Sequence, residues 1–398
     1  MSWKRAKLKF VTRFGYGDML PPDEAQDGPY QVFGSNGPYS AYYRTNTRAP
    51  AIIVGRKGSY GKVNWSDVAC FASDTTFFLD ESTTRHDLRW IFWLLQTLRL
   101  DEGSVETAVP GLNRENAYEN EVFVPPLTEQ QAIAGYLDRE TGRLDALVAE
   151  KERWLELLAE KRRALITRTV TRGLNPAAPL RDTGLPWLDH IPKHWEVKKI
   201  KYFAGISYGV GDELDKSLTS GVPMISLPNV DIEGTLHLEE LGWANLSPTE
   251  RIPLLLRKGD LLFNWRNGSS AHVGKTAYFD AEGEFTHVGF LLRIRFDLSQ
   301  HEPRFFKAFL QTLRATGYFL YTRAMVNNTF NQTELENLHA VVPPLAEQRA
   351  IVAYIGSATA KLDGLRATAE RTIALLKERR AALIAAAVTG KIKVPQAA

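Results

Sequence analysis

The chain has 398 residues, of which 44% are apolar and 24% charged, the balance of a globular protein of two or three domains rather than a disordered, collagen-like or disulfide-scaffold one. A single cysteine, Cys70, excludes an intrachain disulfide and points to a reducing, cytoplasmic setting; no apolar run approaches the length of a membrane span. Net charge is only +3, and the stretches 1–124 and 195–341 are each slightly acidic (14 basic against 15 acidic, then 15 against 17), so composition alone marks no nucleic-acid binder.

In chain order, residues 1–124 read as a mixed α/β globule. Short β-branched or aromatic runs at 51–55 and 77–79 are punctuated by Gly and Pro, and a helical stretch follows at 88–100. Residues 125–172 read as one long helix, 173–194 as a Pro- and Gly-rich linker, 195–341 as a second mixed globule, and 342–392 as a second long helix. The helices are copies of each other. Residues 124–171 align without a gap on 342–389, with 25 identities in 48 positions. Both copies open Val-Pro-Pro-Leu-x-Glu-Gln, with the prolines where missing donors cost least; Thr128 and Gln131 suggest a capping box in the first. A single apolar stripe follows in each: Leu137, Leu144, Leu147, Leu158 and Leu165, then Ile355, Leu362, Leu365, Leu376 and Leu383. A helix over 128–170 is about 64 Å long at 1.5 Å per residue. Two such stripes are natural partners for an antiparallel coiled coil, although each could instead pack on its own globule. The fold class expected is α+β: two tandem mixed α/β domains, each followed by a long helix.

The globules share a fainter kinship. Trp3 to Phe10 resembles Trp195 to Tyr202, and Tyr16-Gly17 matches Tyr208-Gly209 in the same register. Arg56-Lys57-Gly58-Ser59 resembles Arg266-Asn267-Gly268-Ser269, and Leu112-Asn113 and Phe330-Asn331 each precede a Val-Pro-Pro-Leu. The chain is thus a tandem duplication whose helices stayed alike while its globules diverged. Such a chain suits the reading of two different half-sites on duplex DNA, with the helices setting their separation.

On the two Pro-Pro-Leu-x-Glu-Gln helix starts, the Val170–Leu174 end and the Gly184-Leu-Pro-Trp lead-in to Trp195, the sequence resembles the specificity subunit of type I restriction-modification systems. The resemblance covers essentially the whole chain; one departure is that the lead-in precedes Trp195 but not Trp3. It implies two target-recognition domains that read a bipartite double-stranded DNA target. It further implies a helical spacer that docks two methyltransferase (adenine-N6) subunits, which a restriction or translocase subunit can join. The specificity subunit itself is expected to be non-catalytic and to hold no cofactor or metal, with S-adenosylmethionine, ATP and magnesium confined to its partners. A coiled-coil scaffold whose globules bind proteins is the alternative.

Candidate DNA-binding residues follow from side-chain chemistry: Arg reads guanine, Asn or Gln reads adenine, and Lys or Ser holds phosphate. The first loop offers Arg56, Lys57, Ser59, Tyr60 and Lys62; its counterpart offers Arg266, Asn267, Ser269, Ser270, His272 and Lys275. An ordinary basic turn accounts for the same residues. A polar-aromatic cluster adds Asn36, Tyr39 and Tyr42, for which packing at a strand edge is the alternative. A third group comprises Asn113 and Arg114 with Asn327, Asn328, Asn331 and Gln332, where helix capping is the alternative. Val170 and residues 385–388 suggest an apolar docking patch. The run 269–276 falls one glycine short of a phosphate-binding loop, and no Asn-Pro-Pro-aromatic methyltransferase motif is present.

Overall fold

The computed structural model describes residues 3–21, 28–101, 111–211, 220–266, 272–321 and 330–395. The chain divides into two compact units, Met1–Trp154 with Thr368–Ala398, and Leu155–Ala367. Each unit takes one globule and a half of each long helix, so the units cut across the boundaries read from sequence.

The first unit contains β1 (Lys4–Lys7), β2 (Gly15–Tyr16), β3 (Tyr30–Gly34), β4 (Gly37–Tyr42), β5 (Ala51–Gly55), β6 (Val63–Ser66), β7 (Phe71–Ala72) and β8 (Thr76–Leu79). Then come α1 (Leu88–Leu95), α2 (Arg114–Tyr118), β9 (Glu121–Val124) and the start of α3 (Leu127–Arg172). β1 pairs antiparallel with β9; a four-stranded sheet runs β2-β8-β5-β6, and a three-stranded one β4-β3-β7. β5 is an unbroken apolar run because it is central and every residue is buried. α1 begins where the Asp87 carboxylate accepts from Trp90 N, and it buries Trp90, Ile91, Trp93, Leu94 and Leu95.

The second unit begins with the last part of α3. The segment read as a linker is a folded hairpin, β10 (Leu180–Leu185) and β11 (Leu188–Pro192), with Leu188 and Ile191 in the unit's core. Apolar residues spaced among the prolines decide this; the punctuation alone suggested a tether. There follow β12 (Glu196–Lys199), β13 (Ala204–Tyr208), β14 (Val222–Ile225), β15 (Gly242–Ala244), α4 (Pro248–Leu254), β16 (Leu261–Asn264), β17 (Thr276–Tyr278), β18 (Thr286–His287) and β19 (Leu291–Phe296). The unit continues with α5 (Pro303–Ala315), α6 (Tyr318–Tyr321), α7 (Gln332–Asn337), β20 (His339–Val342) and the first part of α8 (Leu345–Val388). Its sheets repeat the first unit's order strand for strand: β12-β20, β13-β19-β16-β17, and β15-β14-β18 with β14 and β18 parallel, as β3 and β7 are. The repeated Tyr-Gly pair has a steric cause. A Cβ on Gly17 would lie 2.0 Å from the Ser73 carbonyl oxygen, and one on Gly209 2.1 Å from that of His287.

The helices run antiparallel within each unit. In the first, Lys377 Nζ donates to Glu152 Oε1 at 3.3 Å and Arg380 pairs with Asp145 at 2.9 Å. In the second, Arg162 lies 3.5 Å from Asp363. Buried or half-buried residues follow the alternating steps of four and three that a coiled-coil seam requires. In the first unit these include Leu137, Thr141, Leu144 and Val148 on α3 with Ala369, Ile373, Leu376, Leu383 and Ala387 on α8. In the second they are Leu155, Leu158, Leu165 and Thr169 on α3 with Ile355, Thr359 and Leu362 on α8. Two expected positions are corrected: Leu147 and Leu365 are 44% and 43% exposed. Each lies three residues beyond a seam leucine, and on α3 the four-residue step brings Val148 inward instead. The expected capping box is also absent from its place, since Thr128 falls inside the helix that starts at Leu127. Val170, Ala387 and Val388 are fully buried in their own units and form no docking patch.

The Pro-Pro-Leu-x-Glu-Gln motif is a junction between helix and globule. In the first unit the Trp3 indole N–H donates to Glu129 Oε2 at 2.9 Å. Buried Gln130 donates to the Pro125 carbonyl at 2.8 Å and accepts from Asp87 N, ahead of α1, at 2.9 Å. In the second unit Trp195 donates to Glu347 at 3.0 Å, Gln348 donates to the Pro343 carbonyl at 2.7 Å, and Gln348 accepts from Glu302 N, ahead of α5, at 2.8 Å. Each tryptophan also packs on the left-handed glycine that ends the other helix, Trp3 on Gly390 (φ 72°) and Trp195 on Gly173 (φ 71°).

Candidate nucleic-acid interface

In the first unit the β5–β6 loop is pinched shut by two backbone bonds, Gly55 N to the Lys62 carbonyl and Gly61 N to the Gly55 carbonyl, both 2.8 Å. Gly58 and Gly61 adopt positive φ to close it. At its far end Lys62 Nζ donates to Asn36 O and Oδ1, both at 2.9 Å, which brings Lys62 beside the β3–β4 turn and exposed Tyr39. At its near end the Arg56 guanidinium lies 5.0 Å from the Tyr16 ring and 5.7 Å from Phe77. Arg114 covers Tyr16 at 4.9 Å and Tyr118 at 5.7 Å. Exposed Lys57 pairs with Asp74 at 3.3 Å; Ser59 is exposed and Tyr60 half-buried. The structure thus gathers Asn36, Tyr39 and Lys62 at one end of the loop and Arg56 and Arg114 at the other. Sequence reasoning missed Tyr16 as the ring that both arginines contact, although its recurrence as Tyr208 was the available signal.

Two residues of the first unit take structural roles. Tyr42 is buried, edge-on to Phe71 at 5.1 Å, so it leaves the candidate surface: the alternative of strand-edge packing is the one observed. Asn113 caps α2, its side chain accepting from Glu115 N and Asn116 N.

In the second unit Asn267, Ser269, Ser270, Asn327 and Asn328 lie outside the described residues. The backbone bonds recur one place out of the expected register. Leu112 N donates to the Arg56 carbonyl and Phe330 N to that of Trp265, both at 2.8 Å, and Gly274 N donates to the Asn264 carbonyl as Gly61 does to Gly55. Arg56 therefore corresponds to Trp265, and Arg266 to Lys57. Trp265 packs edge-on to Tyr208 at 5.5 Å, with its N–H donating to the Gly289 carbonyl at 2.7 Å. Exposed Arg266 lies 5.7 Å from the exposed Phe290 ring. Lys275 is corrected: it is buried and its ammonium donates to the Val230 carbonyl at 3.0 Å, so it ties a turn inside the unit. Burial and then nearby Arg314 hold it below the ordinary lysine range. Burial, then the charges of Lys275 and Arg314, lower the His272 pKa below the ordinary histidine value. Asn331 caps α7 in a reciprocal box with Glu334, and Gln332 donates to the Ile206 carbonyl and Glu336. Among the described residues no cluster of His, Cys, Asp and Glu could hold a metal ion.

Residues 15–156, the first globule with the start of its helix, match the type I restriction modification DNA specificity domain. The first globule is thus similar to the DNA specificity domain of type I restriction-modification systems. A putative type I restriction enzyme MjaX specificity subunit of Methanocaldococcus jannaschii is 28% identical over 48% of this chain, a match that spans only 45% of that relative. The MjaVIII specificity subunit of the same organism is 21% identical over 87% of this chain and 77% of its own length. The EcoKI specificity subunit of Escherichia coli is 23% identical over 68% and 57%. Two solved structures share the fold, each at 18% sequence identity. One, from work on complex assembly and conformational transition of a type I system, has a TM-score of 0.66 over 98% of both chains. The HsdS subunit of Thermoanaerobacter tengcongensis has a TM-score of 0.56 over 98% of this chain and 97% of its own. Both matches cover 98% of this chain, so the likeness of fold extends past the matched domain into the second unit.

Proposed function

We propose that this chain is the DNA sequence-specificity subunit of a type I restriction-modification complex. Each unit reads one half of a bipartite double-stranded target, and the chain positions two adenine-N6 methyltransferase subunits and a restriction subunit. The observation that carries this reading is one strand order used twice with different side chains on the same loops, which suits two unlike half-sites. The chain is non-catalytic in this account and holds no cofactor; S-adenosylmethionine, ATP and magnesium belong to its partners. It works in the cytoplasm, and no helix among the described residues is long and apolar enough to cross a membrane.

The test is a genome-wide map of adenine methylation in the host, with and without this gene. Loss at one motif of two short blocks separated by unread bases is the expected outcome, and lengthening the helices should change only the number of unread bases. An unchanged methylome, with the methyltransferase expressed, would favour the protein-binding scaffold. DNA binding should weaken steeply with salt, as phosphate contacts release counterions.

A further inference from the structure

We infer that Arg114, held on the Tyr16 ring beside Arg56, reads a guanine in the half-site of the first unit, and that the described residues of the second unit place no guanine reader at the equivalent position. The inference rests on the DNA-reading function proposed above and assigns a base to one address within it. The repeated backbone bonds equate Arg56 with Trp265, the repeat offset equates Arg114 with Gln332, and Tyr16 corresponds to Tyr208. The same address therefore carries two guanidinium groups in one unit and two neutral side chains in the other. In the second unit the donors there are already engaged: the Trp265 indole on the Gly289 carbonyl, the Gln332 amide on the Ile206 carbonyl and Glu336.

In the first unit the arginines have different duties. Arg56 lies against both Tyr16 and Phe77, its Nη1 donating to the Asp74 carbonyl at 3.2 Å, which ties it to the backbone. Arg114 lies on the same ring and directs Nε and Nη2 to one oxygen of Glu115, at 3.3 and 3.2 Å. That pair of donors is the planar edge that matches O6 and N7 of guanine. Stacking on an aromatic face fixes the guanidinium plane, so little side-chain freedom is lost when a base replaces Glu115. Glu115 is largely exposed, and an exposed pair of this kind is readily exchanged. The carboxylate also selects between ligands: a phosphate on this edge would face a like charge, whereas an uncharged base edge would not.

The experiment selects duplexes from a randomised library with the full chain assembled with its methyltransferase partner. Arg114→Gln, which installs the second unit's residue, should lower the preference for guanine at one position of one half-site by about tenfold or more. The other half-site should be unchanged. Arg114→Lys should keep the salt dependence but lose the preference, because an ammonium has no planar fork. Tyr16→Leu should lose it with no change of charge. Equal weakening on all sequences with the preference intact would make Arg114 a phosphate contact and overturn the inference. An intact bipartite preference in Arg114→Gln would overturn the inference alone; a wild-type complex that selects no sequence would overturn the function on which it rests.

Discussion

The two units are built to one plan and differ in what the plan is made to carry. Strand order, helix junctions and backbone bonds recur from one to the other, yet Arg56 and Arg114 in the first stand where Trp265 and Gln332 stand in the second. Similarly, β7 of the first unit ends in Ala72 where β18 of the second ends in buried His287. The comparison teaches that the shared scaffold is held by groups facing the helices, which have few alternatives. The outward loops are free to diverge because little of the core depends on them.

The junctions allow the largest test of that equivalence. Trp195 is fully buried and Trp3 only partly so, which makes their shared hydrogen bond unequal in packing. Trp195→Ala should destabilise its unit by about 3–5 kcal/mol, and Trp3→Ala by clearly less, read by hydrogen exchange in each unit's core. Equal losses would show that the indole–glutamate bond, common to both, dominates over burial.

Gln130→Ala and Gln348→Ala should then cost about 1–3 kcal/mol each, because each leaves a buried carbonyl and amide without a partner. Here the two units should respond alike in urea unfolding. A marked difference would mean that the clamp matters in only one of them.

Acid should separate the units. Both ring nitrogens of His287 lack a partner among the described residues, and burial, with Arg293 and Arg295 nearby, lowers its pKa to about 3. The folded state favours the neutral ring, so its contribution is complete above the unfolded-state value near 6.5 and declines as pH falls toward about 3. His287→Leu should flatten that decline in the second unit. In the first, burial lowers His86, whose Nδ1 accepts from Gln130, and a decline below about pH 6.5 should follow that ring instead. Thermal melts across pH for the wild type and His287→Leu check both statements.

The smallest effects belong to the outer helix faces. Leu147→Ala and Leu365→Ala should each change stability by no more than about 0.5 kcal/mol, since neither is on the seam. Leu144→Ala and Leu362→Ala should cost about 2 kcal/mol or more. A large loss at Leu147 or Leu365 in the free chain would mean that the seam has been placed on the wrong face.

The amino-acid sequence alone determined the duplication, the two long helices and the family resemblance, because these are carried by residue identity at fixed spacing. Helical periodicity also determined most of the seam, since one face of a helix can be read without knowing what covers it. Leu147 and Leu365 escaped that reading because a step of three from a seam residue is allowed in general and wrong only in a particular register. The loops were legible as loops but not as surfaces. Whether Lys275 meets solvent or the Val230 carbonyl depends on a turn 45 residues away. Whether Tyr42 faces out depends on Phe71, and whether Arg56 matches Arg266 or Trp265 depends on bonds that close the loop through space. Those decisions belong to the tertiary structure, because a side chain's exposure and its donors' partners are set by distant segments, and local sequence carries no record of them.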